Sequence, residues 1–146
     1  MKKLLKLISL LALVGTLATG CAVNRATATV DPGAKLDTLK MVHVTKLPQD
    51  GRNIDLLIAD NLRTRGYTVT TGLEAPARVD ALVTYADKWM WDLTMYMLEL
   101  TVTMREPKTD YPLATGNSYH TSLTRKSPTE MVAEVIDNIM KEGKAK

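Results

Sequence analysis

The chain has 146 residues, with 19 lysines and arginines against 16 aspartates and glutamates, and a single cysteine. Lys2, Lys3 and Lys6 account for the excess, so the remaining sequence has 16 basic and 16 acidic residues and is formally neutral. A nucleic-acid-binding surface needs clustered positive charge to displace counterions from phosphates, and this balance argues against one. One cysteine cannot form a disulfide within the chain, so a single core of buried side chains has to stabilise the fold.

The first 20 residues have the pattern of a secretory signal. A basic start is followed by an apolar run from Leu7 to Ala18. That run is too short to cross a bilayer as a helix, which takes roughly 20 apolar residues. A basic start, a short apolar core and small residues before a cut site are typical of a signal peptide. Residues 1–20 are therefore predicted to be removed.

The residues from Ala18 to Cys21, ATGC, resemble the lipobox of small bacterial envelope lipoproteins. In that family the signal is cut before a cysteine that carries diacylglycerol. The resemblance therefore implies a lipid on Cys21, with palmitate among its chains, and attachment to a membrane. Ala22 is not the aspartate that marks inner-membrane retention in enteric lipoproteins, which implies the periplasmic face of the outer membrane. An ordinary cleaved signal with an unmodified cysteine, or a buried N-terminal helix, is the alternative.

Residues 21–39 are predicted to form a lipidated flexible tether. They are rich in Thr and Ala, contain the turn formers Asp31-Pro32-Gly33, and keep neither a helical nor a strand period for long. Fully extended, this segment would place the domain roughly 50–60 Å from the membrane. A docked N-terminal strand is the alternative. Residues 40–146 are predicted to form one domain.

Alternation and helical spacing predict the element order β-α-β-β-β-α in that domain. Asp50 is placed to cap the first helix, and Ser127 with Glu130 forms a capping box at the start of the second. This order predicts an α+β fold, a two-layer sandwich with one mostly antiparallel sheet covered on one face by two helices. The predicted elements are a strand at 40–46, a helix at 52–65, strands at 67–71, 79–88, 93–105 and 113–123, and a helix from Ser127 onward.

The two long strands are predicted to form a hairpin with a tight turn near Trp91. This register places Val83 opposite Leu100 and Tyr85 opposite Leu98 on the buried face, as a sheet with one core side requires. The turn lacks the Gly or Asn that tight hairpins favour.

The end of this hairpin is the most unusual part of the chain, because it holds both tryptophans of a protein without phenylalanine. Trp and Met are enriched at the cores of protein interfaces. The predicted register also leaves two methionines on the uncovered face, beside a flat strip of small residues around Ser118. A second interpretation has the tryptophans closing one end of the core. The candidate protein-binding residues are Trp89, Trp91, Met95, Met97 and His120.

The inventory of groups for catalysis or metal binding is thin. His43 and His120 lie on separate predicted strands, and no cluster of His, Cys or carboxylate residues has metal-ligand spacing. A Ser-His pair near His120 would need an orienting acid and an oxyanion hole, and neither has a sequence signature. No enzyme activity, cofactor or metal is therefore expected, with a hydrolase using His120 as a minor alternative.

These observations predict a non-enzymatic, membrane-anchored periplasmic lipoprotein that docks on an envelope protein through an open sheet face. The alternative is a carrier that binds a lipid-like or small apolar ligand between helices and sheet. The element order is similar to that of the lipopolysaccharide-assembly lipoprotein that plugs an outer-membrane barrel, although no motif carries over residue by residue. No nucleic-acid partner is expected, and the sequence leaves the oligomeric state open.

Overall fold

A computed structural model describes residues 23–145, and the predicted signal, Cys21 and Ala22 lie outside the described residues. The fold consists of six strands and two α-helices, joined by loops and two short 3-10 turns. In chain order the elements are β1 (Asn24–Val30), β2 (Met41–Thr45), α1 (Ile54–Thr64), β3 (Thr68–Gly72), β4 (Ala81–Asp92), β5 (Thr94–Arg105), β6 (Pro112–His120) and α2 (Pro128–Lys144).

The six strands form one open sheet with the spatial order β1-β6-β5-β4-β2-β3. Each pair of neighbours within β1-β6-β5-β4 is antiparallel, whereas β2 lies parallel to both β4 and β3. The unit β2-α1-β3 supplies the parallel pair, since only a crossover connection can join parallel neighbours. The predicted α+β class with a mostly antiparallel sheet and two helices is confirmed.

β1 corrects the prediction of a flexible tether. Residues 24–30 pair antiparallel with β6 over seven residue pairs, from Asn24 opposite His120 to Val30 opposite Ala114. Val30 is buried in the core. The segment alternates Ala and Thr, and this short strand period stabilises an edge strand once β6 offers a partner. The domain therefore begins within three residues of Cys21 rather than at residue 40.

The core lies between the sheet and the two helices. The helix-facing side of the central strands is fully buried and packs on the apolar stripe of α2. Gly116 on β6 marks the closest approach, because a Cβ there would meet Val135 Cγ1 at 2.8 Å and Ile139 Cγ1 at 2.9 Å. Gly116 therefore faces α2, which corrects the prediction of an uncovered strip of small residues around Ser118.

Asp50 and Ser127 accept hydrogen bonds at the starts of the two helices, as the sequence predicts, although α1 begins at Ile54 rather than at residue 52. Asp50 Oδ2 accepts from the backbone N–H of Ile54 at 2.8 Å, and Ser127 and Glu130 form a complete capping box at the start of α2. Satisfying these amide groups stabilises a helix start by about 1 kcal/mol. No helix within residues 23–145 is long and apolar enough to span a bilayer.

The β4–β5 hairpin differs from its predicted register. Leu93 makes the turn, with φ at +56°, and Val83 lies opposite Met104 rather than Leu100. The pairing shifts by one residue between Lys88 and Trp89, so Leu98 is an extra residue in β5. Such a bulge exchanges the two faces for the residues beyond it, because side chains alternate along a strand.

Candidate functional surface

The β4–β5 hairpin extends well beyond the rest of the sheet. β6 pairs with β5 only as far as Glu99, so residues 89–98 form a two-stranded arm. The end of the arm is here called the hairpin tip (residues 90–95), and its apolar side chains, Met90, Trp91, Leu93 and Met95, are exposed. Trp91 is 69% exposed and Leu93 87%.

Neighbouring segments hold the base of the arm in place. The guanidinium of Arg52 stacks on the ring of Trp89 at 4.1 Å, and the indole Nε1 of Trp89 donates to Asp87. On the other edge, Arg125 lies 4.9 Å from the ring centre of Tyr96 and donates to Thr94 Oγ1 at 2.8 Å. These contacts order the arm, so the tip is presented on a fixed support.

The structure distributes the five predicted protein-binding residues over three environments. Trp89 is partly buried against the core, whereas Trp91 and Met95 are exposed at the tip. Met97 is 0% exposed in the core, because the bulge at Leu98 turns it toward the helices. The prediction of Met95 and Met97 as a docking pair on the uncovered face is therefore wrong.

His120, the fifth of these residues, is also buried rather than available to a partner. Its Nε2 lies 2.7 Å from Glu134 Oε2 on α2, and Ser118 Oγ donates to the same oxygen at 2.6 Å. Lys126 Nζ lies 2.5 Å from the other carboxylate oxygen. This cluster joins β6 to α2 beneath the arm, and its geometry indicates a structural role.

Ionisation of Glu134 supports that role. Burial alone would raise the pKa of this carboxyl group, but hydrogen bonds from Lys126, Ser118 and His120 outweigh burial and lower the pKa to about 2. An ionised carboxylate only accepts hydrogen bonds, so His120 Nε2 carries a proton toward it. A hydrolase of the serine type needs the serine to donate to the histidine. In this structure Ser118 and His120 both bond to Glu134 instead of to each other.

The sheet face opposite the helices is polar across β1, β6, β5 and β4. Asn117 Nδ2 donates to Glu99 Oε1 and Thr101 Oγ1, both at 2.9 Å. Glu99 also pairs with Lys88 at 2.8 Å, and the Lys88 and Asn117 bonds lower the pKa of the Glu99 carboxyl group. No described helix covers this uncovered face. Threonines and hydrogen-bonded polar groups predominate on it, in place of the expected Met95 and Met97.

Two of the clefts among the described residues combine the volume of a small-molecule site with an aromatic side chain in the lining. One, of about 380 Å³, lies between the α1 entry loop and β4 and is lined by Asp50, Tyr85 and Trp89 among others. Burial, followed by the hydrogen bond to Asp50, raises the pKa of the Tyr85 hydroxyl. The other cleft, of about 520 Å³, lies beside the C-terminal ends of the helices and is lined by residues that include Tyr67 and Met140.

Sequence reasoning missed two exposed leucines. Leu93 occupies the left-handed turn position, which is uncommon for a leucine. The absence of Gly or Asn from a predicted tight turn was the available signal for it. Leu123, 78% exposed in the short turn after β6, had no comparable signal, because that segment was assigned to a strand. Among the described residues no group of three or more His, Cys, Asp or Glu side chains has the geometry of a metal site.

The fold and this surface define the protein as a two-layer α+β module with an open mixed sheet and a projecting hairpin. No protein-family model and no curated protein sequence matches the chain. Among solved structures it is similar to the PelC dodecamer from Paraburkholderia phytofirmans, with a TM-score of 0.59 and 15% identity over 80% of this chain and 98% of that chain.

Two more distant likenesses have lower scores. A PDZ domain protein from Parabacteroides distasonis aligns with a TM-score of 0.50 and 10% identity, over 86% of this chain and 37% of that chain. A minor lipoprotein from Acinetobacter baumannii aligns with a TM-score of 0.39 and 14% identity, over 73% of this chain and 92% of that chain. At these identities the likenesses to the PelC and PDZ domain structures describe the fold alone.

Proposed function

We propose that the mature protein is a non-enzymatic accessory lipoprotein of the bacterial envelope, anchored through a lipid on Cys21. It docks on an envelope protein through the uncovered sheet face. The pattern from Lys2 to Cys21 supports export and lipidation, and Ala22 favours the periplasmic face of the outer membrane by the sorting rule given above. The uncovered sheet face is the single observation that carries the docking function.

The geometry of that face suits a transient protein interface. Interfaces between proteins that also exist apart are about as polar as the rest of the surface, so a threonine-rich face is compatible with docking. Its side chains are already ordered, since Thr115 Oγ1 donates to Thr103 Oγ1 at 3.3 Å and Asn117 bridges two neighbours on β5. Pre-ordered side chains lose little entropy on binding, which favours affinity.

Crosslinking in living cells tests this function. A photoreactive residue at Thr27 lies on the uncovered face, opposite Asn117, whereas the same residue at Ala26 points to the other side of β1. Both positions are exposed, so the pair differs in direction alone. The proposal predicts a discrete protein adduct from Thr27 and none from Ala26. Adducts from both positions would place a partner on the β1 edge, and adducts from neither would contradict docking.

The carrier alternative has one observation in its favour. The expected position of the ligand, between sheet and helices, does not favour it, because fully buried side chains such as Leu100 and Val135 fill that space. The cleft of about 520 Å³ beside Tyr67 and Met140 falls within the 300–1,000 Å³ typical of ligand sites. Recovery of a bound lipid that is lost in Met140→Trp, which fills this cleft, would favour the carrier.

A further inference from the structure

Five exposed apolar side chains gather at one end of the sheet. Met90, Trp91, Leu93 and Met95 belong to the hairpin tip, and Leu123 projects from the short turn that follows β6. Single exposed apolar residues are ordinary, but a contiguous group at the end of an arm indicates a surface that binds something apolar.

Hydrogen bonds connect the turn that carries Leu123 to this hairpin tip. Ser122 Oγ donates to the carboxylate of Asp92, which sits beside the turn residue of the hairpin. Arg125 donates to Thr94 and also to the backbone carbonyl of Ser122, at 2.9 Å. Leu123 and the tip therefore belong to one surface, and the acidic group within it already has a partner.

The start of the domain lies at the same end. Asn24 pairs with His120, the last residue of β6. One residue earlier, the carbonyl oxygen of Val23 accepts from Thr121 N–H and from Thr124 Oγ1, each at 3.2 Å. The chain therefore enters the domain against the turn that holds Leu123.

Cys21 is two residues before Val23. An extended chain spans at most about 3.6 Å per residue, so a lipid attached at residue 21 would be tethered to Val23 by no more than roughly 7 Å of chain. A lipid on Cys21 would then bring this end of the sheet to the bilayer surface. The long separation that a tether of 19 residues would have allowed does not exist.

We propose that the hairpin tip and Leu123 insert shallowly into the membrane interface, beside the lipid on Cys21. This inference rests on the lipidation in the proposed function. Trp is the side chain that favours the level of lipid headgroups, because its ring is apolar and its N–H still finds a polar partner. Leu93 and Leu123 supply apolar surface for the outer part of the acyl chains.

Seating the tip in the membrane also orients the domain. β4 ends at the tip and β5 begins there, so the axes of both strands would point toward the bilayer. The plane of the uncovered face would then be steep to the membrane surface. That face then remains accessible to a neighbouring envelope protein at the same membrane. One anchor and one arm would fix both the height and the tilt of the docking face.

A reconstitution with a chemically attached lipid tests this proposal without relying on lipidation in cells. The chain from Cys21 to Lys146 contains every described element, and its single cysteine can be coupled to a maleimide headgroup lipid. Coupled protein is placed on phosphatidylethanolamine–phosphatidylglycerol vesicles with brominated acyl chains. Trp89→Phe leaves Trp91 as the only tryptophan, and Trp91→Phe leaves Trp89.

The proposal predicts that Trp91 emission shifts to the blue and is largely quenched by the bromines, whereas Trp89, stacked on Arg52, is quenched much less. Leu93→Glu should abolish the quenching of Trp91. Leu73→Glu is the matched control, because Leu73 is also exposed but lies roughly 25 Å from the tip along the strand direction.

Two results would overturn the proposal. In the first, aqueous iodide quenches Trp91 fluorescence and the bromines do not. The tip would then lie outside the bilayer, as a surface for a protein or a second copy of the chain. Leu73→Glu could reduce the quenching as much as Leu93→Glu, which would indicate non-specific adsorption. Either result leaves the lipid anchor itself untouched, because the anchor is supplied by coupling. Circular dichroism of each variant confirms that its fold is retained.

Discussion

Replacing Gly116 by alanine tests how closely α2 packs on the sheet. The added Cβ would lie 2.8 Å from Val135 Cγ1 and between 2.9 and 3.0 Å from two carbons of Ile139. Carbon atoms in contact normally lie about 3.5–4.0 Å apart. Val135 and Ile139 are fully buried on the inner face of α2, so neither can swing into solvent. The helix would have to move away from β6.

The expected cost follows from two opposing effects. Inserting a methyl group into a filled core costs about 1–3 kcal/mol. Alanine also restricts the unfolded chain, which returns about 0.4–1 kcal/mol where the native backbone tolerates it. Gly116→Ala should therefore lower the free energy of unfolding by about 1–2 kcal/mol.

Urea unfolding of the chain from residue 22 onward, followed by circular dichroism, measures this cost. Gly51→Ala is the control, because a Cβ at Gly51 has no neighbouring atom within 4 Å. Its free energy of unfolding should stay within about 0.5 kcal/mol of the parent value, as surface changes usually do. Equal effects at the two glycines would refute the close contact between β6 and α2.

Further substitutions test the core, a cap and the partly buried carboxylate of Glu134. Leu100→Ala should lower the free energy of unfolding in urea by about 2–5 kcal/mol, because Leu100 is fully buried. Thr101→Ala on the uncovered face should lower it by less than about 1 kcal/mol. Similar losses at the two positions would contradict the assignment of Leu100 to the buried face and Thr101 to the uncovered face. Asp50→Ala removes the acceptor at the start of α1 and should cost about 1–3 kcal/mol, and an unchanged free energy would contradict the cap. The pKa of Glu134 is lowered to about 2 from 4.5, so its charge stabilises the fold above pH 4.5 and that contribution is lost as the pH falls toward 2. The difference in free energy of unfolding between the parent and Glu134→Gln should shrink over that range. A constant difference would contradict a stabilising charge on Glu134.

Local signals accounted for most of the fold. Ser127, Pro128 and Glu130 specified the start of α2 by direct hydrogen bonding and by a fixed proline φ, so tertiary context could not displace it. The buried face of the hairpin was also predicted correctly as far as Tyr85 and Leu100. Its register was wrong by an even number of residues, and an even shift preserves which side chains face the core.

The errors arose where one residue decides the geometry. Leu98 is an extra residue in β5, and nothing in its side chain distinguishes a bulge from a regular position. That bulge moved Met97 into the core and so removed a predicted docking residue. β1 had a weak but usable signal in the alternation of Ala26, Thr27 and Ala28, which the nearby Asp31-Pro32-Gly33 turn obscured.

His43 shows a limit set by topology. Alternation predicted correctly that it would point away from Val42 and Val44, yet it is buried. β3 and β4 both run parallel to β2 and lie on opposite sides of it, so the chain between them has to cross β2. α1 packs on the helix side of these strands, which leaves the His43 side for that crossing. Only the strand order reveals this cover, and the sequence pattern does not contain it.

Metabolic labelling with palmitate, followed by membrane fractionation, tests the central claim most directly. The parent protein should incorporate the label and sediment with the outer membrane. Cys21→Ala should lose the label, because Cys21 is the single cysteine of the chain, and should lose outer-membrane fractionation with it. An unlabelled parent protein, or a Cys21→Ala protein that still sediments with the outer membrane as completely as the parent, would contradict a lipid anchor at Cys21.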